Sequence, residues 1–184
     1  MANENYYIEQ VEHFNEVFGK LNNKVPTIVN RKEAQFIYDF IKEELDEYME
    51  AYNRGDIVEV ADAFGDIMYV LSAGILAFGL KDKFKTLFDE IQASNMSKAC
   101  DTEEDAKQTA TSISTIQGVD THYEKVGDKY IVYRSKDRKV QKNYKYFRPN
   151  LKQFFNDEDL KRVSNDTKIG QAVNSWWAAK AKCC

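Results

Sequence analysis

The segment FIKEELDEYMEAYNRGDIVEVADAFGDIMYV, Phe40–Val70, carries nine carboxylates against two basic residues, yet apolar residues run through all of it at helical spacing. Arg54-Gly55 breaks the run where a glycine ends a helix, and Asp56 is placed to cap the next one. The chain must therefore fold two consecutive amphipathic helices whose acids and apolar residues compete for the same faces.

On a helical wheel with Glu43 at zero, Phe36, Ile37, Phe40, Ile41, Leu45 and Tyr48 fill a sector from about 20° to 200°. Glu44 lies at about 100°, the middle of that sector, and Glu47 at about 40°, near its edge. Glu43 and Glu50 fall just outside. On the following helix Glu59, Asp62 and Asp66 share one stripe, which continues through Ala73, Ala77 and Leu80. A solvated stripe stays polar along its length, so these acids are expected at one end of a buried face. Acids that face a core need neutralising, by cations, shared protons or metal ions. The neighbouring cations are few: Arg31, Lys32, Lys42 and Arg54. A hard divalent cation held by carboxylate oxygens fits the pairs Glu44-x-x-Glu47 and Glu59-x-x-Asp62, brought face to face by a helical hairpin. Salt-bridged, half-exposed acids are the competing reading. A ferritin-like di-iron centre is disfavoured, since neither His13 nor His122 follows a glutamate by three residues.

The 184 residues suit one domain, 1–184, with a helical core over about 5–98 and an insertion and tail over 99–184. Eight glycines and two prolines favour helices. Helical spacing covers Asn5–Lys20, Asn30–Asn53, Asp56–Phe78 and Asp82–Met96, which predicts an antiparallel four-helix bundle. DTEEDAKQTATSISTIQG reads as a helical turn or a loop. THYEKVGDKYIVYRS reads as a β-hairpin about Gly127-Asp128, and IGQAVNSWWAAKAKCC as a C-terminal helix. The fold class is all-α with a small hairpin insertion.

The 14 uncharged residues Ile67–Leu80 are short for a membrane span, and the N-terminus lacks a secretory pattern. Cys100, Cys183 and Cys184 form no disulfide framework, so a cytoplasmic protein with free thiols is expected. A terminal Cys-Cys is also a prenylation signal, but nothing else in the chain accompanies it. Residues 1–120 carry 11 Lys/Arg against 23 Asp/Glu, and residues 121–184 carry 15 against 7. An acidic front and a basic tail suggest one ligand that takes cations from the first and offers an anion to the second. The short basic tail of an acidic chain argues against nucleic-acid binding.

The pattern E-x-x-E, a turn, then E-x-x-D resembles the all-α nucleoside triphosphate pyrophosphohydrolases of the MazG-like superfamily. EELDEYMEA, GDIVEVADAFGDIMYVLSAGILAFGL and FDEIQASNMSK extend the likeness over Tyr7–Lys98, toward the dimeric dUTPase-like and phosphoribosyl-ATP pyrophosphohydrolase-like branch, with an echo at VQKNYKYFRPNL. The resemblance implies Mg²⁺-dependent (or Mn²⁺-dependent) hydrolysis of a nucleoside triphosphate, with dUTP or another pyrimidine nucleotide as a candidate, to monophosphate and pyrophosphate. It implies Glu44, Glu47, Glu59, Asp62 and Asp66 as metal ligands, with Glu43, Glu44 and Glu47 at the catalytic centre. Asn95 and Lys98 match substrate-contact positions. Lys142, Lys145, Tyr146 and Arg148 are candidates to close over the polyphosphate, with a solvated basic loop as the alternative.

The chain departs from these relatives at Asp101–Val140, a longer link than usual, and at Trp176-Trp177, which suit packing or a base-stacking lid. A homo-oligomer, a dimer or a dimer of dimers, is expected. The apolar circumference of Ile67–Leu80 exceeds what one solvated bundle needs. A catalytically idle helical bundle that binds nucleotide or a protein partner is the other function class.

Overall fold

A computed structural model describes residues 5–164. They form two compact units: residues up to Lys85 together with those from Phe154 onward, and Thr86–Gln153. The predicted C-terminal helix, Trp176-Trp177 and Cys183-Cys184 lie outside the described residues.

The first unit is built on three helices, α1 (Tyr6–Val17), α2 (Arg31–Arg54) and α3 (Ile57–Ala77). Their ends follow local chemistry. The Asn30 side chain accepts from the Glu33 amide to start α2, and Gly55 closes it in the left-handed region at φ 70°. The Asp56 side chain then accepts from the amides of Val58 and Glu59 to start α3. Two residues thus turn the chain back on itself. Ile37 lies against Gly74, where a Cβ would come within 3.3 Å of its Cγ2, and the Tyr48 and Phe64 rings stack at 5.0 Å. These two pairs make α2 and α3 antiparallel.

Helix α1 covers the other side of α3, but only its second half. Ile8 and Val11 bury against Leu76, with Ala73, Ile75 and Phe84 around them, and the Phe14 ring meets Tyr69 edge-on. Gly79 is required where α3 ends: its φ is +65°, and a Cβ there would collide with the Val25 carbonyl oxygen. By length and composition α3 is long and apolar enough to cross a membrane; α1 and α2 both pack on it, and 28% of its apolar window is buried. Residues 154–164 return to this unit, where Ile28 and Val163 form a parallel bridge.

The all-α fold with a hairpin insertion is observed, and its packing is specific: α1 and α2 both pack on α3, whereas α4 (Lys81–Met96) leaves this unit after Lys85. In the second unit α4 ends and a further helix, α5 (Glu103–Gln117), begins. Its 15 residues go well beyond the turn or loop expected there. The Thr102 side chain caps the Asp105 amide, three acids occupy the first turn, and Gly118 closes the helix at φ 63°. Its inward face is mostly small residues, Ala106, Thr109 and Ala110, with Ile113 beyond them, so the helical period is faint in the sequence. The predicted hairpin is β1 (Thr121–Val126) and β2 (Lys129–Arg134), paired antiparallel about Gly127-Asp128. Cys100, Ala106 and Val132 form the core between α5 and this sheet.

Candidate active site

The α2–α3 hairpin places Glu44 within the line Ile37, Ile41, Glu44, Tyr48 and Ala51, the least exposed line of α2. A carboxylate thus occupies a packing position, as its wheel angle predicts. Oε2 of Glu44 is buried and has no hydrogen-bond partner. Burial pushes its carboxyl above the usual range, and the charges of Asp66, Glu47, Glu43 and Asp62 push it further. These four acids are therefore its electrostatic neighbours.

Other sheltered acids of the chain are treated differently. Glu12 pairs with Lys24 at 2.7 Å and with Lys81, and these bonds hold its carboxyl below the usual range. Asp105 pairs with Lys145 and Tyr144, with the same effect. Asp159 pairs with Arg162 and Lys83. Among the described residues none of Glu43, Glu44, Glu47, Glu59, Asp62 and Asp66 has a cationic partner. The cations of α2 serve other acids, Lys42 for Asp46 and Arg54 for Glu50. Among the described residues the salt-bridge reading of the cluster has no ion pair to support it.

One expectation needs correcting. Glu47, Glu59, Asp62 and Asp66 are exposed within this unit, not set into a buried face. The stripe that carries the α3 acids is buried only at its apolar end, because α1 reaches no further along α3. Among the described residues no three acidic, histidine or cysteine side chains converge as a preformed metal centre. Like charges without a counter-ion repel one another, and exposed carboxylates are free to turn apart.

The predicted substrate residues cluster in the second unit. The Lys98 ammonium donates to Asn95 Oδ1 at 2.7 Å, one turn apart at the end of α4. Lys142 lies over the Tyr146 ring, 4.6 Å from its centre. The hydrogen bond from Ser94 and then the charges of Lys142, Lys98 and Arg148 hold the Tyr146 phenol below its usual value. Asn95, Lys98, Lys142, Tyr146 and Arg148 therefore share one neighbourhood, and its three cations have no acidic partner among the described residues. Lys145 does not join them. Its ammonium is bound by both oxygens of Asp105 at 2.9 Å, so its role is to anchor the segment to α5. The sequence gives no sign of that pair, whose members are 40 residues apart. It also hides Ser94, Ser97, Thr109 and Asn143, whose polar side chains bind this segment in place.

Residues 11–95, which contain every acid of the cluster and Asn95, match the phosphoribosyl-ATP pyrophosphohydrolase family. The matched segment is thus similar to pyrophosphohydrolases of the MazG-like kind. An uncharacterized protein of Acanthamoeba polyphaga mimivirus is 30% identical over 135 residues, covering 67% of this chain and 53% of that protein. The chain thus spans about half the length of the curated relative it matches. The matched segment supplies α2, α3 and most of α4, and with them every acid of the cluster.

Proposed function

We propose that this protein is a divalent-metal-dependent nucleoside triphosphate pyrophosphohydrolase. It converts an NTP or dNTP, with dUTP or another pyrimidine nucleotide suggested by the resemblance, to the monophosphate and pyrophosphate. The observation that carries this reading is Glu44: a carboxylate in a packing position, whose buried oxygen has no partner among the described residues, beside four more acids that no cation among those residues neutralises. An all-oxygen, strongly anionic donor set suits Mg²⁺ or Mn²⁺. Glu44, Glu47, Glu59, Asp62 and Asp66 are the residues that would hold such an ion. When bound, the metal supplies positive charge to the phosphates and acidifies a water. Glu43, exposed beside Glu44, would bind a second metal or orient that water. Lys98, Lys142, Tyr146 and Arg148 would bind the anionic end of the nucleotide, and Asn95 would read a base edge.

A panel of nucleoside triphosphates with Mg²⁺, read for pyrophosphate against orthophosphate, tests the proposal. Pyrophosphate and a monophosphate from at least one nucleotide are expected. Nucleotide binding without any product would instead favour the idle helical bundle.

The same proposal includes a cytoplasmic homo-oligomer. Phe36, Phe40, Leu45 and Met49 on α2 and Phe64, Met68 and Leu71 on α3 are all exposed, and such large apolar side chains in adjacent turns suit a helix-on-helix interface. Sedimentation at micromolar concentration is expected to give a dimer or a dimer of dimers. A monomer alone at that concentration would refute this part of the proposal.

A further inference from the structure

We infer that Ser94 is a positioning residue that presents the Tyr146 hydroxyl as a hydrogen-bond donor to a polyphosphate, inside the cationic group of Lys98, Lys142 and Arg148. The inference rests on reading that group as the phosphate site.

Ser94 lies in the motif SNMSK at the end of α4 and is 2% exposed. Its hydroxyl has two neighbours, the Phe147 carbonyl oxygen at 2.9 Å and the Tyr146 phenolic oxygen at 3.3 Å. The single Ser94 proton is shared between them in a three-centre arrangement. Tyr146 therefore accepts at its oxygen from the protein, and its own proton is left without a protein acceptor among the described residues. That proton sits amid three cations: Lys142 over the ring, with Lys98 and Arg148 close enough to act on the phenol by charge. A neutral donor beside three unpaired cations is a site for an anion with several oxygens, and a polyphosphate chain has them.

The neighbouring contacts fix the same segment. Ser97 Oγ accepts from the Phe147 amide at 3.3 Å and donates to the Ser94 carbonyl at 2.8 Å. The Tyr146 amide donates to the Asn143 carbonyl, and the buried Asn143 side chain is held by Ala99 and Thr109. The backbone about Tyr146 is thus held by these contacts as well as by the Ser94 bond to the Phe147 carbonyl, and the direction of the phenol is what the Ser94 hydroxyl adds to them. The serines of SNMSK hold this segment, while Asn95 and Lys98 face outward.

The test is calorimetric binding of inorganic tripolyphosphate to the full chain without metal, compared among wild type, Ser94→Ala, Tyr146→Phe and the double variant, with thermal melts of each. Tyr146→Phe keeps the ring of a half-buried residue, so folding should be intact, and affinity is expected to fall about tenfold, the size of one hydrogen bond to a charged group. Ser94→Ala is expected to lose about the same affinity and some thermal stability. The double variant is expected to bind no more weakly than Tyr146→Phe alone, because both changes remove one interaction. A merely structural Ser94 would weaken binding further in the Tyr146→Phe background, and that result overturns the inference. So does wild-type affinity in Tyr146→Phe, or no tripolyphosphate binding by the wild type. The expected pattern in a protein that hydrolyses no nucleotide would refute the enzymatic reading and leave the Ser94–Tyr146 relation standing.

Discussion

Glu44→Gln is expected to abolish metal-dependent nucleotide hydrolysis while making the metal-free protein more stable at neutral pH. The two effects have one origin. The substitution keeps the shape of a side chain in the α2–α3 packing line but removes a charge that burial and Asp66, Glu47, Glu43 and Asp62 all disfavour. As a ligand to the proposed metal it should cost at least about a hundredfold in turnover, since even outer-shell partners of metal ligands cost 10–100-fold. Glu47→Gln and Asp62→Asn are expected to act alike on turnover.

The stability effect has a defined pH dependence. The folded carboxyl of Glu44 lies above its ordinary value, so between those two values the folded state holds more protons than the unfolded one. Stability of the metal-free wild type is therefore full below the ordinary carboxylate pKa and falls as pH rises through the raised folded value. Gln cannot titrate. The melting temperatures of Glu44→Gln and wild type should nearly coincide in acid and separate toward neutral pH, the variant melting higher by about 2–4 °C for each kcal/mol relieved in a chain of this size. Saturating Mg²⁺ should reverse the order, because a ligand that binds only the folded state stabilises by mass action. Wild-type turnover in Glu44→Gln, or a lower melting point for it in the absence of metal, would show that Glu44 is a packing residue with no metal role.

What the sequence revealed of this arrangement depended on how local the causes were. The caps of α2 and α3 are Asn30, Gly55 and Asp56, each acting on amides within three residues or on its own backbone, so both helices were legible to within a residue or two. The hairpin was legible for the same reason: Gly127-Asp128 makes its turn locally. Glu44 was legible because a helix fixes angles, and an acid amid apolar angles has to be explained. The exposure of Glu59, Asp62 and Asp66 was not legible, since it depends on how far along α3 the separate helix α1 extends. Helix α5 was missed because alanine and threonine, small enough to pack against the hairpin, carry little hydrophobic signal. The role of Lys145 depends on an acid 40 residues away, and no local pattern distinguishes it from Lys142. In each case the information lay in a contact between elements, which periodicity does not encode.

Hydrolysis in ¹⁸O-labelled water is expected to place the label in the nucleoside monophosphate and none in the pyrophosphate. The expectation follows from the proposed division of charge. Five acids stand ready to hold cations, and three cations without an acidic partner among the described residues act on a phenol whose proton has no acceptor among them. The leaving group best served by cations and hydrogen-bond donors is the one that departs with the most negative charge, which is pyrophosphate. Attack then falls on the α-phosphorus, and the water oxygen stays with the nucleoside. Attack on the β-phosphorus would also release pyrophosphate, but with the label in it. Attack on the γ-phosphorus would give a nucleoside diphosphate and labelled orthophosphate. Lys98→Ala separates the two halves of the proposal further. Lys98 belongs to the cationic group, so its loss should raise KM about tenfold, the size of one charge-assisted contact, while leaving Mg²⁺ binding in the absence of nucleotide unchanged. Label in the pyrophosphate, or orthophosphate as the first product, would mean that the cationic group does not hold the leaving group and that the proposed orientation of the nucleotide is wrong.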